Sequence, residues 1–191
     1  MRPCLLRKLS NKDAWADVEA SPLWEQGDCP AEALVQVFDN RAGVSTWRVR
    51  TKEDVERVIA AQALMRDTIG DFAYCLMAEE VLLQDGIKLK NTPAKTMDKQ
   101  VNDLHVGIVD LSAHKLIRLA HRINTEFDPH VMTRAEILVA AAKLFRENKF
   151  DRNFLFTPGN KGRSEEEIAT AKKLLVNLWK KSDIDLPLPQ K

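Results

Sequence analysis

The chain has no surplus of charge: 29 Lys+Arg face 28 Asp+Glu over 191 residues, a net charge of +1. That excludes a polycation built to condense nucleic acid, and equally an acidic, solvating tail. A cysteine framework is also missing. Cys4, Cys29 and Cys75 are odd in number and far apart, whereas a disulfide scaffold takes an even set and a zinc site takes CxxC-type pairs. A reducing, cytoplasmic setting is therefore expected. Long apolar runs are absent. Runs such as Ile137 to Ala142 fall far short of the roughly 20 residues of a membrane helix, so no membrane association is expected. Arg2 and Lys8 bracket only Pro3-Cys4-Leu5-Leu6 before Arg7, well short of the roughly 7–15 apolar residues of a secretory leader. No fixed-period repeat or low-complexity tract interrupts the chain.

What remains is ordinary globular material, 45% apolar and 30% charged. A chain of this length buries about 70% of its unfolded surface and needs no metal or disulfide to hold a core. Ser10-Asn11-Lys12-Asp13 offers a cap for a short helix ended at Ser21-Pro22, and Asp28-Cys29-Pro30 a second start. Val44 to Val49 is β-branched and aromatic and reads as a strand. Thr51 opens a helix whose stripe is Val55, Val58, Ile59, Met65 and Ile69, stopping at Gly70. Phe72 to Met77 is a second strand, able to pair with the first. Glu79-Glu80 start a helix that ends at Gly86, and Ile87-Lys88-Leu89-Lys90 returns as an edge strand guarded by its lysines.

From residue 96 onward the spacing predicts helices. Met97, Val101, Leu104, Ile108 and Leu111 recur at four and three. Ser112 caps a helix with Leu116, Leu119, Ala120 and Ile123 as its apolar stripe. Thr133 with Glu136, and Ser164 with Glu167, are capping boxes for two more. The expected fold is α+β, mostly α-helical, with a small sheet of two or three short strands in the first half. Residues 1–150 form the main domain. Residues 151–191 form a C-terminal loop, helix and loose tail packed on it.

Familiar chemistries find little support. The loop Phe154 to Ser164 lacks the Walker spacing, and Glu165-Glu166-Glu167 fill the first helical turn, where they would repel a phosphate. His105, His114, His121 and His130 have no HExxH spacing; His114 and His121 stand about 10 Å apart along a helix, too far to share one zinc. There is no G-x-S-x-G or G-x-G-x-x-G, and Cys75 sits in an apolar run where a thiol is inert. No catalytic residue, metal or cofactor is expected.

One feature stands out. On the helix capped by Ser112, His114, Arg118, His121 and Arg122 share the side opposite the leucines, with Lys115 beside them, and no acid falls between Leu111 and Thr125. Residues 111–181 hold 14 Lys+Arg against 8 Asp+Glu, leaving that stretch net +6 and the remainder net −5. A basic face of this kind suits an acidic patch on a protein partner, with Trp15 and Trp24 as candidate anchors. The leading expectation is a non-catalytic interaction protein. The alternatives are a nucleic-acid-binding module using the same basic helices, and an enzyme whose residues converge only in three dimensions.

Overall fold

The computed structural model describes residues 2–9, 21–26, 28–31, 33–34, 44–64, 69–94, 96 and 98–147, without the side chains of 145 and 146. Trp15, the 10–20 helix, the 154–164 loop, the Ser164–Glu167 helix and the whole of 151–191 lie outside them.

A six-stranded, wholly antiparallel sheet organises the described residues. Its strands are β1 (Cys4–Lys8), β2 (Val44–Val49), β3 (Phe72–Ala78), β4 (Lys88–Asn91), β5 (His105–Val109) and β6 (Pro129–Met132), in the order β4-β5-β2-β1-β3-β6. This corrects the expectation of a mostly helical protein with two or three strands: strand takes 27% of the described residues and helix 43%. Nor do β2 and β3 pair with each other. Both bond to β1, which lies between them with Leu6 opposite Trp47 on one side and Leu76 on the other.

Among the described residues, five helices cover the sheet on both faces: α1 (Lys52–Ala63), α2 (Glu79–Gln84), α3 (Lys99–Asp103), α4 (Ala113–Thr125) and α5 (Arg134–Arg146). One core joins Leu6, Trp47, Val49 and Phe72 of the strands to Val58 and Ile59 of α1, Val101 of α3 and Ile137 of α5. On the opposite face Leu5, Val44, Cys75, Met77, Val106 and Ile108 meet Leu82 of α2 and Leu119, Ala120 and Ile123 of α4, together with Ala33. Two covered faces explain why β1 reads Leu5-Leu6, both fully buried, instead of alternating apolar with polar.

Local chemistry sets the element ends. Thr51 and Asp54 form a reciprocal capping box on α1, which ends at Ala63 rather than near Gly70. Thr133 and Glu136 do the same for α5. After α2, Gly86 adopts φ 68, and Gly86 and Ile87 return their N–H groups to the carbonyls of Leu83 and Leu82. That is the αL helix stop glycine permits, with Ile87 and Leu82 packed together in the core. The expected long helix over 96–111 is instead the five-residue α3 followed by β5. In β5 Val106 and Ile108 point into the second core, and a Cβ on Gly107 would meet Thr92 Oγ1 at 3.2 Å.

Cys75 is fully buried in that second core, and burial pushes its thiol up to about 12. Cys4 and Cys29 are only partly covered. In native protein a maleimide will label these two and spare Cys75 until denaturant is added. Rapid native labelling of Cys75, read by peptide mass, would contradict this burial.

Candidate functional site

Helix α4 starts at Ser112, whose hydroxyl accepts from the Lys115 N–H at 3.3 Å. Leu119, Ala120 and Ile123 turn into the sheet and hold the helix there. On the far side His114, Ile117, Arg118 and His121, spaced three and four apart, form an outward stripe. Ile117 is 42% exposed and the Arg118 side chain 48% exposed.

Lys115 and Arg122 flank that stripe and reach the turn after α2. Lys115 Nζ donates to the Gly86 carbonyl at 2.5 Å, a cation at the negative end of α2. Arg122 grips both carboxylate oxygens of Asp85, with Nη2 2.9 Å from Oδ1, while its Nη1 donates to Glu126 at 2.5 Å. Arg118 is the looser partner, 3.5 Å from Asp85 Oδ1. Hydrogen bonding from Arg122 holds the Asp85 carboxyl below the usual carboxylate range and lifts the Arg122 guanidinium above its own. Arg118 and Arg122 thus meet two carboxylates while Lys115 meets a carbonyl, so one positive charge is left uncompensated beside the two imidazoles. Leu83 of α2, two residues before Asp85, is 53% exposed.

Sequence reasoning found the cations and missed the rest. Asp85 and Leu83 lie about thirty residues away along the chain, Gly86 reads in the sequence only as the end of a helix, and Ile117 is hidden between Leu116 and Arg118. The absence of any acid on α4 was the available signal, since a semi-buried arginine such as Arg122 requires a carboxylate from elsewhere. Trp24 lies against this body, its ring edge-on to His121 with centroids 5.6 Å apart, and it packs on the second core.

The histidines are dispersed. His105 Nδ1 is held by the Thr92 carbonyl and hydroxyl, and burial lowers its pKa below the ordinary value, opposed by that carbonyl. His130 lies on β6 against Tyr74. Among the described residues no three His, Cys, Asp or Glu side chains form a metal-ligand set, and no helix is long and apolar enough to cross a membrane. Between α1 and α5 a shallow groove is lined by Glu53, Glu56, Arg57 and Lys143. Arg57 at its floor is committed to Asp98 and Gln100. No family model, curated protein or solved structure matches the chain.

Proposed function

We propose that the protein is a non-catalytic interaction factor, of accessory, regulatory, adaptor or immunity type, whose α4 face docks an acidic patch on a protein partner. The observation that carries this reading is the outward stripe itself: an exposed aliphatic, Ile117, set among His114, Arg118 and His121 with no acid on the helix. Apolar contact ringed by arginine is the composition of interface centres, and the residual charge favours an acidic partner. Asp85 and Gly86 hold the flanking cations, so the surface is ordered before it binds. Free thiols at Cys4, Cys29 and Cys75 fit a reducing, cytoplasmic site of action.

The nucleic-acid alternative draws on the same cations. Arg122, however, already has each of its three nitrogens on a carboxylate oxygen, which leaves Arg118 and Lys115 as the phosphate contacts this face offers.

Affinity capture from nuclease-treated extract tests the reading. A double variant, Ile117→Asp with Arg118→Glu, changes two exposed positions and should keep its circular dichroism spectrum. The expected result is a stoichiometric partner retained by wild type and reduced at least tenfold by the variant. Equal capture by both would reject the docking face. Capture that vanishes with nuclease would favour nucleic acid.

A further inference from the structure

The large apolar side chains left exposed among the described residues are Leu83, Ile117, Val131 and Val139. The first two belong to the α2–α4 surface. The other two lie on β6 and α5, consecutive elements joined by Thr133.

β6 bonds to β3 on one side, and among the described residues no strand lies on its other side. Alternate residues of such an edge aim their N–H and C=O groups outward, a template for another strand. The two ends of the sheet differ in how they are guarded. β4 carries Lys88 and Lys90, both exposed, whereas β6 is Pro129-His130-Val131-Met132, with no lysine, arginine or carboxylate. The adjoining helix repeats this character. Ala140, Lys143 and Leu144 of α5 face α1 across the groove, with Lys143 Nζ 3.4 Å from Glu53. Positions 135, 138 and 142, spaced three and four apart, therefore share the flank turned away from α1. They are Ala135, Leu138 and Ala142, and Ala135 is exposed.

We propose that the β6 edge and this flank of α5 receive a second copy of the chain, β6 pairing antiparallel with β6 about a two-fold axis and joining the two sheets. An uncharged edge meets its own copy without repulsion, which the lysine-bearing β4 cannot do. The ends of the strand are complementary: β6 is preceded by Asp128 and followed, after Thr133, by Arg134, all exposed. A two-fold axis through Val131, which keeps opposed residues on one face of the joined sheet, brings Asp128 of each copy beside Arg134 of the other. A four-residue strand alone falls short of the roughly 1,000 Å² of a stable interface, so the apolar flank of α5 is a necessary part of the contact.

Sedimentation velocity of the full chain over a hundredfold concentration range tests this. The expected result is a reversible dimer, weakened at least tenfold by Val131→Lys and by Ala135→Glu and unchanged by Leu83→Asp, with circular dichroism confirming that each variant folds. Hydrogen exchange on unmodified protein supplies a second readout: the β6 amides should slow as concentration rises. A monomer throughout, a dimer indifferent to both edge variants, or β6 exchange independent of concentration overturns the proposal.

Discussion

Asp98→Ala will lower the unfolding free energy by about 3–5 kcal/mol, because it leaves a buried guanidinium without its counter-charge. The Asp98 side chain is 1% exposed and Arg57 10% exposed. Arg57 Nη2 donates to Asp98 Oδ1 at 2.8 Å, Nε donates to the other oxygen, and Nη1 meets Gln100. The same carboxylate caps α3, accepting from the backbone of Gln100 at 2.9 Å and Val101 at 3.3 Å. Two losses therefore coincide. Asp98→Asn separates them, since asparagine caps a helix about as well as aspartate and yet carries no charge. It should still be strongly destabilising, and adding Arg57→Met should recover part of the loss by removing the stranded cation. Urea titrations of the three variants measure this, with a midpoint drop of about 10 °C in parallel melts of Asp98→Ala. A cost below about 1 kcal/mol would show that the pair is solvated and exerts no hold on α3.

Leu5→Ala should cost a similar 3–5 kcal/mol. Leu5 is fully buried on the central strand, packed in the second core with Met77, Ile108 and Leu119 for company. Helices on both faces leave little room for the site to collapse around a missing isobutyl group. Ile117→Ala, at a side chain 42% exposed, should change stability by less than about 1 kcal/mol. A Leu5→Ala variant as stable as Ile117→Ala would mean that β1 is not the central strand.

The contrast between these leucines and isoleucines explains what was readable in the sequence. Capping residues act within a turn of the helix they start, so Thr51, Ser112 and Thr133 marked α1, α4 and α5 correctly, and Gly86 marked the end of α2. β2 is β-branched and aromatic, and β3 apolar and aromatic, enough for each to read as a strand alone. β1 is not: five residues with Arg7 and Lys8 among them look like a charged terminus, and only its two neighbours in space make Leu5 and Leu6 a centre. β5 was hidden by coincidence. Val101 and Leu104 end α3 and Ile108 belongs to a strand, yet their spacing of three and four matches a helical stripe. In the candidate site the cations were legible because they share one helix. Asp85, which positions them, was not, because the pairing is tertiary.

Photo-crosslinking from position 117 addresses the docking face most directly. A benzoylphenylalanine placed at Ile117, on the outward stripe of α4, should yield a discrete protein adduct in extract, weakened by Arg118→Glu. The same probe at Lys99, an exposed position on α3, should yield none. Equal labelling from both positions, or adducts at 117 that Arg118→Glu leaves intact, would contradict a partner bound through the cationic face of α4.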